Sequence, residues 1–175
     1  MRKFWILSLC FVAGVSLAWA AVDRDPAQEM TESAGRFLAD LSPEHRAMAA
    51  MDFEDKERYN FHYIPRDRRG VPYRIMTSAQ RKLAHAFLAS GLSRQGMSKA
   101  LEIMYLENVL FEISKRSVRD SEAYYFTVFG EPSVSSAWGW RLEGHHLSLN
   151  FTLRDGKVVS TSPSFWGANP ATVLD

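Results

Sequence analysis

The sequence predicts an α+β domain, with N-terminal helices packed on a small antiparallel β-sheet. Three observations carry this. Apolar residues recur at helical spacing in segments between Ala27 and Phe111. From Tyr124 onward the chain turns to alternating aromatic and aliphatic stretches broken by Gly, Pro and Asp-Gly. Helical and strand segments are largely segregated along the chain, which argues for antiparallel pairing over a parallel βαβ sheet.

Residues 1–20 stand apart from this domain. Arg2 and Lys3 precede an uncharged apolar stretch, Phe4 to Leu17, and Ala18-Trp19-Ala20 supplies small residues where a signal peptidase reads. The apolar run is short for a bilayer span, which needs about 20 residues. The expectation is a signal peptide cleaved after Ala20. A single α+β domain over residues 21–175 would then be periplasmic or secreted, without a stable membrane anchor. The single cysteine, Cys10, falls inside the signal, so the mature chain has no thiol for a disulfide, a thiolate metal site or a nucleophile. A formal charge of +1, reduced further by loss of Arg2 and Lys3, gives no electrostatic case for a nucleic-acid partner.

The elements follow in order. Met30, Ala34, Phe37, Leu38 and Leu41 predict an amphipathic helix over Ala27–Leu41. Ser42-Pro43 suits a cap and first turn, and restarts a helix that runs to about Met51. Tyr59, Phe61 and Tyr63 alternate with polar residues and predict a short strand. Arg66-Asp67-Arg68-Arg69, set among prolines and Gly70, reads as a solvated loop. Thr77 and Gln80 have capping-box spacing and open a helix that ends at Ser90-Gly91. Another helix begins near Ser93. Its apolar residues, among them Met97, Leu101, Met104, Leu110 and Phe111, cover much of its circumference and predict deep burial. Glu107 falls on its apolar side and needs a partner there, with Arg81 or Arg141 as candidates. Tyr124–Phe129 is a strand, and Asp155-Gly156 is a hairpin turn with Val158–Thr161 returning. The sheet counted this way has about four strands, so the edge invites a homo-oligomer or a partner chain that completes it.

The run Trp138 to Leu153 is the most informative segment. Trp138, Trp140 and Leu142 are even-numbered, whereas Leu147, Leu149, Phe151 and Leu153 are odd. A single strand keeps both sets on one side only if a β-bulge at Gly144-His145 inserts one residue. The opposite face then carries Arg141, Glu143, His146, Ser148, Asn150 and Thr152.

FLADLSPEHRAMA (37–49), MTSAQRKLAHAFLASGLS (76–93), IMYLENVL (103–110), FGEPS (129–133), WGWRLEGHHLSLNFT (138–152) and GANPA (167–171) follow one another in this order. With these segments the chain resembles the bacterial family catalogued as domain of unknown function 3500. The resemblance implies a bacterial source and a common core. Family members are commonly longer, continuing past GANPA into a second helical and strand region with another histidine-rich strand, so the chain corresponds to the N-terminal part. The resemblance transfers no catalytic residue.

The candidate site rests on residue chemistry. His145, His146 and Glu143 offer two imidazoles and a carboxylate, a set that zinc, copper or iron accepts, and His62 is the distant candidate for a further metal ligand. Without metal, His146 oriented by Glu143 is a candidate catalytic base. Arg141, Ser148 and Asn150 on the same face, and Trp138 with Trp140, are candidate contacts to a small-molecule ligand, although core packing is the default for the tryptophans. The bland reading pairs Arg141 with Glu143 and makes the row a polar sheet face. Two functions follow: an exported metal-dependent hydrolase or oxidoreductase, or a non-catalytic module that binds a ligand or partner through a structural polar strand. A truncated copy without activity is the third reading.

Overall fold

Helix formation at the N-terminal side begins with a cap. The Asp25 side chain accepts from the Ala27 N–H at 2.9 Å and Pro26 occupies the first turn of α1 (Pro26–Asp40). The computed structural model describes residues 25–172, so the expected signal peptide lies outside the described residues. α1 buries Met30, Ala34, Phe37 and Leu38. Ser42 caps α2 (Pro43–Ala49), which is shorter than expected. Ala50 and Met51 leave the helix to pair in parallel with Val128 and Phe129, forming β1 (Ala50–Met51). Tertiary pairing overrides the local helical preference there.

The strand expected at Tyr59–Tyr63 does not form. Lys56–Tyr59 is a short 3-10 turn, and residues 60–70 run as an irregular strap. Tyr59 is 68% exposed, against the alternation that suggested a half-buried strand. The strap's backbone is satisfied by side chains in place of a ladder. Arg141 donates to the Glu57 and Asn60 carbonyl oxygens, both at 3.0 Å. The His62 N–H donates to Glu143 at 2.6 Å.

After β2 (Val71–Pro72), the Thr77–Gln80 capping box opens α3 (Ser78–Ser90) as the spacing predicts. α4 (Arg94–Ser114) buries Ala100, Ile103, Met104, Glu107 and Leu110 on one side. Its other side is not buried as expected: Tyr105 is 65% and Ile113 67% exposed. α4 meets α3 and the sheet along one flank only.

The sheet is mixed and mostly antiparallel, with seven strands among the described residues. β3 (Tyr125–Phe129), β4 (Trp138–Gly144), β5 (Leu147–Arg154) and β6 (Lys157–Ser160) extend from β1 in that order. β2 also pairs with β3, and β7 (Ser164–Trp166) with β5. Of the strands counted in sequence, the one at Tyr59–Tyr63 is absent and Trp138–Leu153 is two; β1, β2 and β7, which were not expected, are two or three residues long, too short for an alternation pattern. Asp155 and Gly156 take positive φ of 50° and 67° in the β5–β6 turn, as their sequence predicts.

Trp138–Leu153 is two strands, not one with a bulge. Gly144 opposes Leu147 across a turn at His145-His146, and the pairs Trp138–Leu153, Trp140–Phe151 and Leu142–Leu149 follow. Reversal of the chain pairs even with odd positions, so the parity change comes from a hairpin. A register shift lies instead between Thr152 and Leu153, against β6. The inference that both apolar sets share one face stands. There Trp140 stacks on Phe151 with ring centroids 4.2 Å apart and meets Phe87 at 4.6 Å, while Phe37 packs on Phe126 at 5.6 Å. Helices cover this face, and the strap covers part of the other.

Candidate functional site

The polar row of β4 and β5 is not an open surface. Arg141, Glu143 and Ser148 are each no more than 2% exposed. Arg141 reaches Glu57 through Nη2 at 2.6 Å and lies 3.5 Å from Glu143 through Nε. Arg68 Nε approaches Glu143 at 3.6 Å, while its other nitrogens donate to the Ile64, Arg66 and Gly144 carbonyl oxygens. The loop expected to be solvated thus sends Arg68 inward. Glu57, Arg141, Glu143 and Arg68 alternate in charge in a line that clamps the strap to the sheet. Burial pushes the Glu143 carboxyl above its ordinary range, while Arg141, the His62 N–H and Arg68 pull it back.

At the end of this row the hairpin tip meets α4. Gly144 has no side chain because a Cβ there would overlap the Tyr124 ring. The Tyr124 hydroxyl donates to the His145 carbonyl oxygen at 2.8 Å, and burial raises the phenol's pKa, so it remains a donor. His146 takes φ of 58°, donates its N–H to the Tyr63 carbonyl oxygen and accepts from the Gly167 N–H, both at 2.8 Å. The tip is therefore fixed by β3, the strap and the segment after β7. So held, His145 places Nδ1 in hydrogen-bond contact with the buried carboxylate of Glu107. Glu107 does have a partner, but it is this imidazole and neither Arg81 nor Arg141. Arg81 pairs with Glu122.

His145 and Glu107 line a cleft of about 240 Å³ with Arg68, Arg74, Ser117 and Tyr125. Arg119 Nη1 lies 3.2 Å from His145 Nδ1 and 3.3 Å from Nε2. These nitrogens flank Cε1, and an atom so close to both in the ring plane would collide with it. Nη1 therefore lies over the ring face. A nitrogen placed this way does not consume the in-plane lone pair of Nε2.

The remaining expected site residues fall in different places. His62 contributes its backbone N–H rather than its imidazole to Glu143. The His146 ring lies 4.2 Å from that of His145, with Nδ1 buried and unbonded, and it does not meet Glu143 as an oriented pair. Asn150 donates to the Pro163 carbonyl oxygen at 2.8 Å. Trp138 and Trp140 are core residues and line no cleft. Only the His145 and His146 rings adjoin; Glu143 is engaged with Arg141, Arg68 and the His62 backbone N–H. Among the described residues no three His, Cys, Asp or Glu side chains gather as a metal site. Sequence reasoning flagged Glu107 through its helical spacing, and missed Arg119, which sits in a polar loop without a pattern.

Two histidines make stability depend on pH. Burial, reinforced by Arg81, holds His85 below its ordinary value of 6.5, and burial, reinforced by His145, does the same for His146. The unfolded chain then binds these protons more readily than the folded one. Their contribution is complete above 6.5 and is lost as pH falls through the folded values. Glu143 acts in the opposite sense: its contribution is present below 4.5 and is lost as pH rises through its raised folded value. The urea midpoint is expected to fall as pH drops below about 6.5, with a shallower fall in His85→Gln/His146→Asn. An identical fall in the double variant would assign it to other groups.

No described helix is long and apolar enough to cross a membrane. No curated protein and no solved structure matches the chain. A family model described as "Protein of unknown function (DUF3500)" matches residues 23–175, and the chain belongs to that family.

Proposed function

We propose that this chain is an exported bacterial enzyme in which His145, oriented by Glu107, acts as a general base on a small polar substrate in the cleft. The observation that carries the reading is a buried carboxylate bonded to Nδ1 of an imidazole that lines a cavity. With Nδ1–H donated to Glu107, Nε2 is the nitrogen that takes a proton, and the carboxylate stabilises the imidazolium that forms. The apolar Phe4–Leu17 run after Arg2 and Lys3 supports export. Hydrolysis is the reaction class that asks least of such a site: the base activates water and no further cofactor is required.

A screen of the mature chain with nitrophenyl esters, phosphate esters and glycosides tests this. In any reaction found, His145→Gln is expected to lower kcat by about 10²–10⁴-fold in protein that urea unfolding shows to be folded. Glu107→Gln should lower kcat in the same direction. Turnover that survives in a folded His145→Gln variant would overturn the assignment.

The second reading, a ligand- or partner-binding module with a structural polar strand, draws on the buried line Glu57–Arg141–Glu143–Arg68. Absence of turnover across the panel would favour it.

A further inference from the structure

The inward side of α4 holds Glu107 against His145, while its outward side is open to solvent. On that outward side Arg94, Ser98, Leu101, Tyr105, Asn108 and Glu112 are all exposed, and they recur at alternating steps of four and three residues. This is the a/d spacing of a coiled-coil seam, which keeps the six positions on one narrow stripe. Its middle is apolar: Leu101 is 36% and Tyr105 65% exposed. Ser98, Leu101, Glu102 and Tyr105 stand at i, i+3, i+4 and i+7 and line a mostly apolar hollow. Four residues so arranged form the hole that a side chain of a facing helix fills.

The order of side chains along the stripe selects the facing helix. Taken from its two ends inward, Arg94 matches Glu112, Ser98 matches Asn108, and Leu101 matches Tyr105. A second α4 laid antiparallel, with the twofold axis level with Ile103, sets each residue opposite its complement. Apolar contacts then lie at the centre, hydrogen-bonding groups beside them and charges at the ends, the layering of a protein interface. The Asn108 amide can donate to Ser98 Oγ, whose own proton goes to Glu102 at 2.9 Å. A parallel pairing would instead set Arg94 on Arg94 and Glu112 on Glu112, which repel. Glu112 is bonded to Lys115, three residues on, but both are exposed, so that pair is weak and leaves the carboxylate open to Arg94 of the other copy. The two Glu102 side chains flank the twofold and turn to water, a like-charge cost that the apolar centre offsets.

We infer that the chain forms a homodimer through antiparallel pairing of α4, with Tyr105 of each copy seated in the Ser98–Leu101–Glu102–Tyr105 hollow of the other. The interface lies on a helix face and not on the edge of the sheet. It is independent of any chemistry at His145, because the inward side of α4 takes no part in it. One helix pair buries less than the roughly 1,600 Å² of a standard interface, so the dimer is weak and reversible.

The test is sedimentation equilibrium of the mature chain across the micromolar range at low ionic strength. A monomer–dimer equilibrium is expected, weakened by about tenfold or more in Tyr105→Ala. Arg94→Glu alone and Glu112→Arg alone should each weaken it by about tenfold, since either sets like charges at both ends of the interface. Arg94→Glu/Glu112→Arg together should restore wild-type affinity to within about threefold. An acidic residue in the first turn of a helix and a basic one in the last suit its dipole, so these variants keep α4 folded. The two positions are too far apart on one helix to meet, and recovery in the double variant therefore reports contact between copies. A chain that stays monomeric throughout would overturn the inference, as would a dimer indifferent to Tyr105→Ala. A double variant no tighter than the single ones would overturn the antiparallel pairing.

Discussion

Replacement of Arg141 by Met is expected to destabilise the domain by about 3–5 kcal/mol, the usual cost of removing one partner from a buried ion pair. Arg141 is 1% exposed, and its guanidinium serves Glu57, Glu143 and two strap carbonyl oxygens. Methionine fills much of the volume and supplies no donor. Glu57 and Glu143 then keep their burial but lose the cation between them, and Arg68 is left to serve Glu143 alone. The loss is read from the urea midpoint at neutral pH. Arg141→Met/Glu143→Met should recover part of it, because the second substitution removes one stranded carboxylate. A single variant within about 1 kcal/mol of wild type would mean that the ion line contributes little net stability.

The second large effect is Trp140→Ala, expected to cost about 3–5 kcal/mol. The indole is stacked on Phe151, touches Phe87 and sits at the centre of the helix–sheet interface. Its ring atoms also lie where a side chain on Gly91 would go, so the α3–α4 turn packs directly on it. A cavity of that size cannot be closed by relaxation of β-sheet backbone on one side and α3 with the α3–α4 turn on the other. The measurement is again chemical unfolding, with the denaturant slope as a check that unfolding remains cooperative. A small loss would show that the helices settle into the space.

Much of the fold is legible in the sequence where local chemistry and tertiary structure agree. The caps at Ser42 and Thr77, and the Asp155-Gly156 turn, concern bonds made within a few residues. The Trp138–Leu153 run was legible in its burial and not in its connectivity. Its parity change fits a bulge or a hairpin equally, and His145-His146 carries none of the Gly, Asn or Asp residues that mark tight turns. What permits the turn there is remote: Gly144 makes room for the Tyr124 ring, whose hydroxyl holds His145. The Tyr59–Tyr63 alternation misled because aromatic spacing does not reveal whether backbone groups meet a strand or a side chain. Glu107 could be placed on a buried face by periodicity, but its partner lies 38 residues away across a turn the pattern did not mark.

The strap has a consequence for the order in which the chain gains structure. Glu57 and Asn60 meet Arg141, and Ile64 and Gly144 share Arg68, over sequence separations of 76 to 84 residues. β3, β4 and β5, in contrast, are successive antiparallel neighbours joined by short connections. Loop closure over the longer span costs entropy before any contact compensates it. The meander is therefore expected to form first, with residues 57–68 docking late and sealing the charged row from water.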